Sequence, residues 1–160
     1  MGLEEELRRR VAGIHVFAGL AGETITFLAG RAAIKELARG EWVCREGELS
    51  AEFFCLVSGR VEIVREESMK LAELGEGECF GEMSMLECQP RSAGVRCLEA
   101  SVVIQLRSTD LLSIYRENPS EYAIIILNLA RDLARRLHRL GDVFAALSHR
   151  AADEEKTRKV

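Results

Sequence analysis

From about residue 32 the apolar segments become short, and Gly40, Gly47, Gly59, Gly75, Gly77 and Gly81 punctuate them. Segments that short, broken that often, exclude long helices and leave strands joined by turns. "EFFCLV" followed by "SG" and "RVEIV" reads as two strands around a tight turn. Val61 and Ile63 alternate with Arg60 and Glu62, as a half-buried strand requires. "MKLAEL" then adds a second hairpin, and Val102, Ile104 and Leu106 alternate with Val103, Gln105 and Arg107. The expected fold is mainly β with helices (α+β). Strands at this spacing suggest a small sandwich or barrel, and the expected form is an antiparallel β-roll or jelly-roll barrel flanked by N-terminal helices and a long C-terminal helix.

The flanks are helical. Leu3, Leu7, Val11 and Ile14 recur at helical spacing, and a second short helix is predicted over Thr24–Gly30, with Glu23 or Thr24 near its cap. After the strands, Ser108 or Thr109 can cap a helix to about Arg116, and Asn118-Pro119 restarts the chain. Tyr122, Ile126, Leu129, Leu133, Leu137, Leu140, Phe144 and Leu147 then fall at steps of three and four. Such a helix spans about 39 Å, more than a small β domain covers. The stripe therefore predicts a seam with a second chain, a homodimer, as the alternative to a helix folded back on its own domain. Gly141 predicts a bend or an end there. The expected organisation is 1–31 helical, 32–107 β-roll, 108–148 C-terminal helices and 149–160 a polar, frayed tail.

Bulk properties narrow the function. The 160 residues make one domain with a core, and the net charge of −4 gives no global reason to bind nucleic acid. No apolar run is long enough to cross a membrane, and "MGLEEELRRR" lacks a signal-peptide core, so a cytoplasmic protein is expected. Cys44, Cys55, Cys79, Cys88 and Cys97 are odd in number and form no C-x-x-C pair. They read as small buried hydrophobes rather than disulfides or a zinc site.

The chemistry concentrates in "FGEMSMLECQPRSAGVR", residues 80–96. Arg91 offers a planar fork of donors matched to a phosphate, behind Pro90. Met83–Leu86 can form a helical turn whose free N–H groups face an anion, and Gly81 leaves the backbone open. Glu82 beside a phosphate is repulsive unless the ligand also presents a hydroxyl, as a ribose 2′-OH beside a 3′,5′-cyclised phosphate does. The alternative is that Glu82 and Arg91 simply pair with each other.

This segment resembles the phosphate-binding cassette of cyclic nucleotide-binding domains, F-G-E-(L/M)-(A/S)-…-P-R-(S/T/A)-A. "IHVFAGLAGETITFLA" is similar to the family's helical entry, and "GEWVCREGELSAEFFCLVSGRVEIV" to its first strands. "NPSEYAIIILNLARDLARRL" is similar to the C-terminal helix of the catabolite activator branch, so the resemblance covers about 14–148. It implies a non-catalytic cAMP or cGMP sensor. Glu82, beside Gly81, would accept from the ribose 2′-OH, and Arg91 would pair with the phosphate. The backbone N–H groups of Ser84, Ser92 and Ala93 would complete the phosphate cage. Met83, Ile63, Leu71 and Leu74 would line sugar and base. Signalling would come from movement of the C-terminal helix, with Arg136, Leu137 or Leu140 covering the base. Gly94 departs from the bulkier residue usual in the family. No further cofactor and no metal are implied.

The chain stops too soon after the long helix to hold the helix-turn-helix domain of the family's activators, so a stand-alone module signalling through dimer geometry or a separate protein partner is expected. A metal-dependent jelly-roll enzyme would need clustered His ligands. His15, His138 and His149 all lie outside the β segment. The cysteine spacing does not suit an iron–sulfur sensor. The remaining alternative is a ligand-independent dimeric scaffold that keeps the fold.

Overall fold

The computed structural model describes the backbone of residues 3–158 and the side chains of residues 4–151. Two helices open the chain, α1 (Leu3–Ala12) and α2 (Gly22–Arg31), around a 3-10 turn at His15–Phe17. Eight strands follow: β1 (Ala33–Leu37), β2 (Trp42–Cys44), β3 (Glu52–Ser58), β4 (Val61–Arg65), β5 (Met69–Leu74), β6 (Cys79–Phe80), β7 (Gly94–Cys97) and β8 (Ser101–Arg107). A short helix, α3 (Glu82–Glu87), lies between β6 and β7, and α4 (Ser108–Glu117) and α5 (Pro119–Arg158) close the chain. The Leu3 side chain, assigned above to the apolar face of α1, lies outside the described residues.

The strands form two four-stranded antiparallel sheets, in the orders β1-β8-β3-β6 and β2-β7-β4-β5. This corrects the expected barrel. The strand pairings stay within each sheet, so β1, β6, β2 and β5 remain edges and the sheets do not close into a roll or barrel. The correction turns on Gly59. "EFFCLV" and "RVEIV" are both strands, β3 and β4, but they belong to different sheets. The turn between them is a crossover and not a hairpin. β4 and β5 do form the expected hairpin, with Val61 opposite Leu74.

Packing explains the layers. In β3, Phe54 and Leu56 meet Val61, Leu74 and Val95 between the two sheets. Phe53 and Cys55 point the other way, into a core built with Phe17, Leu28, Leu111 and Ile125 from the helices. β3 is thus covered on both faces, which is why "FFCL" reads as an unbroken apolar run.

The helices are tied to this frame by side chains at their ends. The α4 start is closed by Asp110, whose carboxylate accepts from the Arg107 N–H at 3.0 Å, rather than by Ser108 or Thr109. Glu121 of α5 accepts from the Ala21 N–H at 2.9 Å and so caps α2 from outside it. Asn128 Nδ2 donates to the carbonyls of Val16 and Ala18 at 3.1 and 2.9 Å, which fixes α5 on the 3-10 turn.

α5 runs for 40 residues, through Gly141 without ending there and on to Arg158, inside the segment expected to fray. Its first half is packed on the domain: Ile125 and Leu129 are buried. Its second half is not. Leu137, Leu140, Phe144 and Leu147 are 70, 58, 74 and 58% exposed. Among the described residues, no helix is long and apolar enough to cross a membrane.

Gly59 has φ +91°, and a Cβ there would lie 2.7 Å from the Ala100 carbonyl oxygen. Gly59→Ala is expected to destabilise the fold by about 2 kcal/mol or more, through left-handed strain and that collision. Urea unfolding checks this.

Candidate functional site

The segment from Phe80 to Arg96 starts on the edge strand β6, turns through α3 and returns along β7. Gly81 is the hinge. It adopts φ +84° as the residue before α3, and a Cβ on it would lie 2.5 Å from Arg91 Nη1 and 3.0 Å from the Glu52 carbonyl. The close approach that requires glycine here is therefore made by Arg91 itself.

Arg91 is 3% exposed. Nη1 donates to the Gly81 carbonyl at 3.0 Å, and Nη2 donates to Ser50 Oγ at 2.8 Å and to the Glu52 carbonyl at 2.7 Å. The guanidinium lies 5.2 Å from the centre of the Phe54 ring, with the Glu52 carboxylate 4.0 Å away. Its Nε is buried with no partner among the described residues.

Glu82, the first residue of α3, is 5% exposed. It does not pair with Arg91. Its Oε1 accepts from Arg136 Nη1 of α5 at 3.2 Å, and its Oε2 is buried with no partner among the described residues. Arg136 Nη2 also donates to the Cys79 carbonyl and to Asp132 Oδ2, the latter at 2.8 Å. Burial pushes the Glu82 carboxyl above its ordinary value, and the Arg136 charge pulls it partly back.

The other residues assigned from sequence fall into three groups. Ser84 is buried within α3, Ser92 is exposed and Ala93 is half-buried just before β7. Met83 and Leu71 are 42 and 44% exposed, Ile63 is half-buried, and Leu74 is buried in the core between the sheets. Leu137 and Leu140 point into solvent. Gly94 makes room for an aromatic ring: a Cβ there would lie 2.6 Å from Trp42. Four of the five cysteines are buried, and Cys88 is exposed.

Sequence reasoning missed Ser50, Glu52 and Phe54 as the seat of Arg91, and Asp132 as the second acid on Arg136. Ser50 and Glu52 carry no local signal, because their role depends on a contact some forty residues away. Asp132 carried one. An acid four residues before an arginine on a helix is a recognisable pair.

The raised carboxyl of Glu82 has a thermodynamic sign. Held protonated to higher pH when folded than when unfolded, it costs stability as pH rises from the ordinary 4.5 through the raised folded value. The stability of the native protein relative to Glu82→Gln is expected to fall across that window and level off above it. Urea titrations at a series of pH values check this.

Comparison with known proteins bears on the same residues. The profile of the family described as "Cyclic nucleotide-binding domain" matches residues 34–118, more than half of the chain. The chain is 33% identical over 129 residues to the "Cyclic AMP receptor protein" of Thermus thermophilus, covering 78% of this chain and 58% of that protein's length. It superposes on the Thermus thermophilus catabolite activator protein with TM-score 0.66 at 31% identity, over 83% of this chain and 62% of that one. A cyclic nucleotide-binding domain from Methylobacillus flagellatus KT shares the fold, with TM-score 0.74 at 22% identity over 87% of this chain and 80% of that one. With its two antiparallel sheets, its flanking helices and its Gly81–Glu82…Pro90–Arg91 segment, the chain belongs to the cyclic nucleotide-binding domain family, a family of non-catalytic regulatory modules.

Proposed function

We propose that residues 80–96 bind a 3′,5′-cyclic nucleotide in the cytosol and that α5 relays its presence. The carrying observation is a pair of orphaned atoms. Glu82 Oε2 is a buried acceptor and Arg91 Nε a buried donor, each without a partner, on one short segment. Buried polar atoms are rarely left so unless something else fills the bond. A ribose hydroxyl answers the first and a cyclic phosphate the second. The backbone N–H groups of Ser84, Ser92 and Ala93 would complete the phosphate cage, and Met83, Leu71 and Ile63 would flank sugar and base.

A second element of the proposal is a homodimer through α5. Leu133, Leu137, Leu140, Phe144 and Leu147 follow alternating steps of four and three, and from Leu137 on they face solvent. Exposed apolar side chains in a heptad line suit a partner helix of the same kind. Leu140→Glu with Phe144→Glu is expected to shift the protein from dimer to monomer in sedimentation equilibrium. An unchanged mass would remove this element.

Titration calorimetry with cAMP and cGMP tests the ligand. Arg91→Lys keeps the charge and loses the fork, and is expected to weaken binding at least tenfold, the equivalent of about 1.4 kcal/mol. Arg91→Ala is expected to do the same and also to lower stability by about 1–3 kcal/mol, because it strands the Gly81 and Glu52 carbonyls. Absence of binding by the wild type would favour the scaffold reading, in which the fold is kept for assembly alone.

A further inference from the structure

Two of the buried cysteines face each other. β6 pairs with β3 through Phe54 opposite Phe80 and Cys55 opposite Cys79, and next to them the Leu56 N–H donates to the Glu78 carbonyl at 2.8 Å. Hydrogen-bonded and non-hydrogen-bonded pairs alternate along an antiparallel ladder, so Cys55 and Cys79 form a pair of the second kind. The Cα atoms of such a pair lie about 4.5 Å apart, inside the range of about 4.4–6.8 Å that a disulfide spans. Both side chains turn to the helix side of β3, into the core with Phe53 and Ile104, and their sulfurs are in contact. Both are free thiols, 0 and 2% exposed. The other cysteines are not so placed. Cys44 stands opposite Val95, Cys97 stands opposite Val61, and Cys88 is exposed.

We propose that Cys55 and Cys79 are a reversible redox site, closed to a disulfide by hydroperoxides. The quiet and the reactive states differ in β6. Burial pushes the Cys79 thiol well up, and a thiol, unlike a thiolate, is a poor nucleophile. The pair therefore does not react while β6 lies on β3. β6 is an edge strand of two residues, the kind of element that opens locally at low cost. Once it is open to water, one sulfur loses its proton and attacks a peroxide oxygen. The O–O bond breaks, the leaving oxygen takes up a proton and departs as water, and a sulfenic acid remains. The facing thiol attacks that sulfur, the S–O bond breaks and a second water leaves. Two thiols have then given two electrons and two protons to the peroxide. The new bond ties the strand that leads into Gly81 and Glu82 to its neighbour in the sheet, and a thiol reductant restores the pair. A disulfide formed in a reducing compartment is transient, which suits a signal rather than a staple. The site does not depend on what residues 80–96 bind.

The test exposes the full chain, in native buffer, to hydrogen peroxide raised until the exposed Cys88 is oxidised. The reaction is stopped with catalase, and the protein is unfolded, alkylated with N-ethylmaleimide, digested and mapped by mass spectrometry. The peptides carrying Cys55 and Cys79 are expected to be joined and lighter by two hydrogens, with Cys44 and Cys97 still alkylated. Dithiothreitol is expected to separate them. The cross-linked protein is expected to melt about 5 °C or more above the reduced one, because the bond joins positions 24 residues apart and so restricts the unfolded chain. Cys79→Ala, treated alike, is expected to show no rise, and should that variant not fold, the peptide map of the wild type decides alone. Cys55 and Cys79 both alkylated in full beside an oxidised Cys88 overturns the proposal. So does a Cys55–Cys79 link that brings no rise in melting temperature, since the bond would then lie outside the native pairing.

Discussion

A buried guanidinium holds the cassette to the sandwich. Arg91 is almost wholly removed from water, and a charge in that position is tolerated only where several acceptors surround it. Its acceptors come from two stretches distant in sequence: the Gly81 carbonyl at the start of α3, and the Ser50 hydroxyl and Glu52 carbonyl where the loop after β2 enters β3. One side chain thus fixes where α3 begins relative to β3, and Phe54 supplies the ring beside it. The demand for glycine at position 81 follows from the same contact, since the guanidinium occupies the place of a Cβ. Glu82 then has no freedom of position, being the next residue along.

α5 faces two environments along its length. Up to Leu129 its inner line is apolar and packs on the helical core with Phe17, Leu28 and Ile114. At Asp132 and Arg136 the same line becomes ionic and meets the cassette. After that the apolar residues lie on a different line, Leu133, Leu137, Leu140, Phe144 and Leu147, which turns away from the domain. A helix that is buried, then ionically tied, then exposed is suited to carry a change at Glu82 outward to a partner.

Much of this was legible from the residues alone. The segment 80–96, α3, the β4–β5 hairpin and the start of the long helix follow from local rules of turn chemistry, period and Pro119, whereas the end of that helix, expected at 148 or earlier, lies beyond it at Arg158. The architecture was not. "SG" at 58–59 is the same signal whether the next strand pairs with the last or crosses to another sheet, and here Gly59 serves a crossover against Ala100 and Ser101. Closure into a barrel was inferred from the number and spacing of strands, which do not determine whether edge strands meet. At the site, the identity of Glu82 and Arg91 was readable because both sit in one contiguous motif. Their partners were not, because Ser50, Glu52 and Arg136 reach them only through tertiary packing. The stripe from Tyr122 to Leu147 also merged two faces that the fold separates, with Ile125 rather than Ile126 turned fully inward.

The most direct measurement is nitrogen-15 spectroscopy of the arginine Nε–H groups during titration with cAMP or cGMP. The account requires the Arg91 Nε–H, orphaned in the free domain, to move to a new resonance that saturates at one nucleotide per chain and to show coupling to the ligand's phosphorus. An Arg91 signal that stays in place while either nucleotide is present at saturating concentration would contradict it.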